Sequence, residues 1–113
     1  MDFIEFIYLY IYMFTEKNIL STVGYGTGGL PKKLVCELIL KALELGYRLF
    51  DTAEVYDNEK EIGQALTKSN IQRDKIFIIT KYADTDRNRY NLEQSFNNSL
   101  LNLNTSYIDL YLI

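Results

Sequence analysis

The 113-residue sequence contains no histidine. That excludes Ser-His-Asp and Cys-His nucleophilic catalysis within these residues, and any zinc site that uses a His ligand. There is a single cysteine, Cys36, so no internal disulfide framework can form, which fits a reducing compartment. Excess positive charge is also missing. The net charge of −3 provides no basic field to draw in nucleic acid. With 48% apolar and 24% charged residues the composition is that of an ordinary globular chain, and its length suits one domain.

One apolar run stands out at the start, Phe3 to Phe14 (FIEFIYLYIYMF). A membrane-spanning helix takes about 20 residues, so this run is too short to be one. It has no positive leading region and no small-residue cleavage site, and Asp2 and Glu5 carry the wrong sign for a secretory signal. The expectation is a strand or cap packed on the rest of the molecule. Residues 1–14 are therefore set apart as an apolar extension from a domain at 15–113, and the chain is expected to be cytoplasmic with no membrane span.

From residue 15 onward, strand and helix patterns alternate. Ile19 to Gly26 reads as a first strand or a hairpin leading into one. Pro31, the only proline, suits a first helical turn because the N–H it lacks would be unpaired there anyway. Leu34, Val35, Leu38, Ile39 and Ala42 recur at helical spacing opposite Glu37, Lys41 and Glu44, and Gly46 is placed to end that helix in a left-handed conformation. Tyr47 to Phe50 reads as a second strand ending at Asp51. Asn58 with Glu61 resembles a capping box, with Ile62, Ala65 and Leu66 as the buried face of the next helix. Ile76 to Ile79 is an unbroken apolar run ending at Thr80-Lys81, as expected for a parallel strand covered on both faces. Asn91 and Gln94 repeat the capping logic before a stripe of Leu92, Phe96, Leu100 and Leu103, and Tyr107 to Ile113 forms a fourth strand.

Strand ends near residues 27, 51, 81 and 113 fit successive βαβ units. In a parallel sheet the carboxyl ends of all strands lie on one side, where α/β proteins carry their sites. Polar residues at strand ends are common, so Asp51 or Lys81 alone would mean little. Together with Tyr56, five residues beyond Asp51, they make a sensible acid. A cation beside a phenol favours its phenolate, and a paired carboxylate holds that cation in place. A tyrosine so placed can give a proton to a carbonyl oxygen as hydride reaches the carbon.

Gly46 to Glu59 (GYRLFDTAEVYDNE) resembles the aldo-keto reductase signature G-[YF]-R-x-[FI]-D-[TC]-A-x-x-Y-x-N-E. Four further blocks agree in order: Gly24 to Thr27, Ile62 to Leu66, Arg73 to Lys81 and Asn91 to Ile113. The resemblance implies part of an α/β (β/α)8 barrel, about its first three βα units plus strand four. It also implies an NADPH-dependent, or NADH-dependent, reductase of aldehydes and ketones. Tyr56 would be the proton donor, Lys81 would assist its ionisation, and Asp51 would support Lys81 and border the cofactor. Thr27 and Gly28 would flank the nicotinamide ribose, although many members of the family carry Trp where Gly28 stands.

The family's fourth catalytic residue is a His directly after the pattern D-L-Y-L-I, here Asp109 to Ile113. A whole barrel takes about 250 residues. The expectation is therefore an amino-terminal piece, inactive alone and prone to self-association through its open edges. The partner implied by the resemblance is a small carbonyl substrate, with no nucleic acid and no metal. Two other readings compete. One is a non-catalytic remnant, or a piece that assembles with another chain. The other is a Rossmann-type dinucleotide-binding domain, because Gly24 to Gly29 satisfies G-x-G-x-x-G and Asp51 lies 22 residues further on.

Overall fold

The computed structural model describes residues 23–83 and 91–113. Among the described residues, four strands, β1 (Tyr25–Gly26), β2 (Leu49–Asp51), β3 (Phe77–Lys81) and β4 (Leu110–Leu112), alternate with three α-helices, α1 (Lys32–Glu44), α2 (Glu59–Lys68) and α3 (Leu92–Asn102). The strands form one sheet in the order β1-β2-β3-β4, and every pair is parallel. Parallel neighbours need a long crossover, and the helices provide it. The apolar run at residues 3–14, the proposed domain boundary and the start of the first strand region lie outside the described residues. No helix among the described residues is long and apolar enough to cross a membrane.

Pairing puts Gly26 beside Asp51, Asp51 beside Ile79, and Lys81 beside Leu112. Side chains alternate along a strand, so β2 and β3 each feed two cores. Leu49, Phe77 and Ile79 pack with Leu110 and Leu112 on one face. Phe50 and Ile78 face the helices on the other, against Val35, Ile39, Ala42, Leu43, Ile62, Ala65 and Leu103. This double use explains why β3 shows no polar alternation until its last residues.

The helix boundaries follow from local chemistry. Pro31 stands at the start of α1 with φ −59°. At the other end Gly46 adopts φ +99°, its N–H donates to Leu43 O at 3.1 Å and the Tyr47 N–H donates to Ala42 O at 3.0 Å. These two bonds are the Schellman stop expected from the glycine. The buried face of α1 is Val35, Ile39, Ala42 and Leu43. It is rotated from the expected stripe: Leu34 is exposed and Leu38 half-buried. One residue turns a helix by roughly 100°, so a face centred on Val35 and Ile39 takes in Leu43 and leaves Leu34 outside.

Two other expectations are corrected. Asn58 does precede α2, but its side chain makes no capping bond; it is turned into the protein. For α3, the Asn91 cap is present, with the Gln94 N–H donating to Asn91 Oδ1 at 2.9 Å. Its apolar stripe is only partly buried: Leu103 is inside, Phe96 and Leu100 are half-buried and Leu92 is exposed. The residues of α3 that are buried are Ser95 and Ser99. A polar layer lies beneath this helix. Ser95 Oγ donates to Glu54 Oε1 at 3.2 Å, Ser99 Oγ donates to Glu59 Oε2 at 3.1 Å, and Thr80 Oγ1 donates to Glu59 Oε1 at 2.6 Å. Nearby, Tyr111 packs edge-on against Phe96 at 5.1 Å. Burial, followed by the charges of Glu54 and Glu59, pushes its hydroxyl up to about 12. Gly63 lets α2 approach the end of α3, where a Cβ would fall 2.3 Å from Asn102 O.

The amino ends of β3 and β4 are joined by Arg73. Its guanidinium donates to Asp109 Oδ2 at 2.7 Å, to Ile76 O at 2.6 Å, to Tyr107 O at 3.0 Å and to Thr105 Oγ1 at 2.8 Å. It also lies 4.1 Å from the centre of the Tyr107 ring. The Asp109 side chain is 2% exposed and takes the Ile78 N–H as well, at 2.9 Å.

Two outcomes follow. Removing one partner of a buried ion pair leaves a charge without its counterion. Arg73→Ala should therefore destabilise the fold by about 3 kcal/mol, read as a lowered urea midpoint at neutral pH. An unchanged midpoint would show that the pair contributes nothing. Burial raises the Glu59 carboxyl above its ordinary value, more than the hydrogen bonds from Thr80 and Ser99 lower it. The folded state therefore holds this proton more tightly than the unfolded chain. The resulting contribution is full below the ordinary carboxyl pKa and is lost as pH rises through the folded value. Relative to Glu59→Gln, the natural chain should lose stability across that window and then level off. Parallel pH profiles for the two chains would contradict this.

Candidate active site at the carboxyl ends of the strands

The β1–β2–β3 pairing brings three chain segments together. After β1, the Thr27 N–H donates to Asp51 O at 3.0 Å, and the Thr27 hydroxyl donates to the same oxygen at 3.2 Å. Thr27 is wholly buried, so its hydroxyl is committed to holding the end of β2. The next residue, Gly28, is exposed. After β2, the Thr52 N–H donates to Ile79 O at 2.8 Å, and a short 3-10 turn (Glu54–Tyr56) follows. Glu54 ties this turn to its surroundings, through Ser95 and through the Ala83 N–H at 3.3 Å.

Lys81 closes β3 and reaches across to β2. Its ammonium forms an ion pair with Asp51 Oδ1 and donates to Thr52 O at 2.7 Å. It also lies 5.3 Å from the centre of the Tyr56 ring, within the range of a cation–π contact. The three residues singled out from the sequence are thus gathered on one rim. Lys81 and Asp51 are partly open to solvent, with 30% and 46% of their side chains exposed. Tyr56 is 38% exposed, so a ligand approaching the rim can reach all three.

Gly28 belongs to the same surface. A Cβ added there would lie 3.2 Å from Tyr56 Cζ, the carbon that bears the hydroxyl, and 3.4 to 3.5 Å from its two neighbours. The phenol thus packs close to the Gly28 backbone, and the absence of a side chain there is what permits that approach.

Sequence reasoning missed the residues that hold this rim. Asn58, 1% exposed, donates from Nδ2 to Thr27 O at 2.9 Å and accepts the Thr52 hydroxyl at 3.2 Å. Glu59 and Thr80 sit directly behind it. The available signal was Asn58-Glu59 immediately after the tyrosine turn, which looked like helix-start chemistry. Serines within the stripe of α3 were a second signal. Among the described residues, no group of His, Cys, Asp and Glu could hold a metal ion.

The strand order also decides between the dinucleotide-binding readings. A doubly wound sheet reverses its strand order at a switch point, where its ligand binds. Here each strand is added on the same side of the last, which is barrel topology, and the G-x-G-x-x-G match does not indicate a Rossmann domain.

The crystal structure of MGS-M4, an aldo-keto reductase from a deep-sea metagenome library, superposes with a TM-score of 0.74 at 47% identity, covering 80% of this chain and 33% of that one. The Bombyx mori aldo-keto reductase in complex with NADP gives a TM-score of 0.73 at 33% identity, with the same two coverages. Methylglyoxal reductase DkgB of Yersinia pestis is 42% identical over 90 residues, which are 80% of this chain and 34% of that protein. The chain thus spans about a third of the length of the relatives it matches. Residues 20–113 match the aldo/keto reductase family: the chain belongs to that family, and its four parallel strands are part of a (β/α)8 barrel.

Proposed function

We propose that these residues carry the proton-donating side of an NAD(P)H-dependent carbonyl reductase, with Tyr56 as the donor. The observation that supports this reading is the contact of Lys81 with both Asp51 and the Tyr56 ring at the carboxyl edge of the sheet. Supporting evidence also comes from the NADP complex of the Bombyx mori relative and from the methylglyoxal reductases among the similar proteins.

Gly28 is exposed and lies beside the phenol carbon, so a nicotinamide ring bound along the rim would pass close to both. Gly28 and the open part of the Asp51 carboxylate would border that ring, and Thr27 would hold the loop from beneath. When bound, the cofactor would supply hydride to the carbonyl carbon. Tyr56 Oη would hold a proton at the carbonyl oxygen and release it as negative charge builds there. The Lys81 ammonium would favour the phenolate left behind. Asp51 would keep that ammonium over the ring and prevent it from swinging into solvent. The substrate class is small aldehydes and ketones.

The role of Tyr56 can be tested in a complete barrel. Residues 23–113 would replace the matching segment of the metagenome aldo-keto reductase, and aldehyde-dependent oxidation of NADPH would be measured. The chimera should turn over. Tyr56→Phe should then lower kcat by on the order of 10²- to 10⁴-fold, the usual worth of a general acid. The 113-residue chain alone, which has no His to polarise a carbonyl, should show little or no turnover. Full activity in the Tyr56→Phe chimera would remove the proposed role.

A further inference from the structure

We propose that Asn58 and Glu59, adjacent residues at the first turn of α2, are positioning residues for Lys81 and for the loop that carries Gly28. Neither residue touches Asp51, Tyr56 or Lys81 through its own side-chain hydrogen bonds. Both are nearly inaccessible, 1% and 3% exposed, so a ligand on the rim would touch neither.

An Asn ahead of a helix ordinarily caps it by accepting a backbone N–H from the first turn. Asn58 makes no such bond. Its two amide atoms instead join two loops from different parts of the chain, through Thr27 O and the Thr52 hydroxyl. Thr27 precedes Gly28. Thr52 supplies, through its carbonyl, the acceptor that takes the Lys81 ammonium at 2.7 Å. Asn58 thus holds both the floor beside Tyr56 and one of the two acceptors that aim Lys81.

Glu59 acts from the other side. A buried carboxyl is costly unless its oxygens are satisfied, and here the donors are Thr80 Oγ1 at 2.6 Å and Ser99 Oγ at 3.1 Å. Thr80 directly precedes Lys81, and its hydroxyl points to the helix side of the sheet while Lys81 points to the other. The bond to Glu59 therefore pins the peptide from which the Lys81 side chain rises. The same carboxyl ties that peptide to α3. Two consecutive residues fix Lys81 at both its backbone and its charged tip. A purely structural role would not require the two sets of bonds to converge on the same lysine.

The importance of a fixed Lys81 rests on the reductase reading, so the test reads the lysine and not the reaction. The full 113-residue chain is labelled with nitrogen-15, and ammonium signals are recorded at low temperature, with Lys81→Arg used for assignment. Held by Asp51 and Thr52, Lys81 should give a signal resolved from those of the solvent-exposed lysines. Asn58→Ala and Thr80→Val should each shift that signal into the exposed group. Thr80→Ser, which keeps the hydroxyl, and Glu59→Gln, which keeps an acceptor oxygen, should leave it in place. Leu66→Ala disturbs the core without touching these bonds and should also leave it in place.

The proposal is overturned if folded Asn58→Ala and Thr80→Val retain the resolved signal. It is equally overturned if Leu66→Ala loses it, or if the natural chain shows no resolved Lys81 signal. Thr80→Val is nearly isosteric, so it keeps the test decisive if Asn58→Ala does not fold. An inactive chimera with an intact Lys81 response would count against the reductase reading alone.

Discussion

An ammonium at the end of a buried strand must find acceptors, and Lys81 finds them on the neighbouring strand, in the Asp51 carboxylate and the Thr52 carbonyl. Much of the architecture serves that contact. It requires β2 and β3 to run in the same direction and to end at the same level, which the pairing of Asp51 with Ile79 provides. It requires the chain after β1 to keep the end of β2 in place, which Thr27 does with two hydrogen bonds to Asp51 O. It also brings a positive charge beside the ring of Tyr56. The chemistry proposed for the tyrosine depends on that proximity.

The layer behind the sheet is polar where a minimal core would be apolar. Glu59, Thr80 and Ser99 are all buried, and their hydrogen bonds run between α2, β3 and α3. Burial disfavours the charged form of Glu59, so this layer is not the cheapest way to join two helices to a strand. What it gives is register. Apolar side chains tolerate sliding, whereas a carboxylate with one hydroxyl on each oxygen has a single good arrangement. At the opposite end of the strands, Arg73 and Asp109 make a second fixed point between β3 and β4.

Much of this was legible in the sequence because it is local. The run Ile76 to Ile79 announced a buried parallel strand, Gly46 announced a left-handed stop, and Asn91 with Gln94 announced a helix start. Asp51 and Lys81 were legible as polar residues at the ends of apolar strands, and the signature around them supplied Tyr56 five residues beyond Asp51. Features set by distant partners were not legible. Asn58 looked like a cap because a cap is the local solution; its actual partners, Thr27 and Thr52, are 31 and 6 residues away. Leu92 and Phe96 looked like core because the helical spacing was right, yet Glu54 and Glu59 draw the serines of α3 inward instead. Periodicity locates a face to within a turn. It does not say whether the surface opposite is apolar.

The central claim is that Asp51 and Lys81 act as one unit. A double-mutant cycle tests it most directly, with urea unfolding measured for the natural chain, Asp51→Ala, Lys81→Met and the double variant. Both side chains are partly exposed, so solvent weakens the attraction and the predicted coupling is modest, about 1 kcal/mol. A coupling below about 0.3 kcal/mol, within the usual additivity of independent sites, would contradict the account.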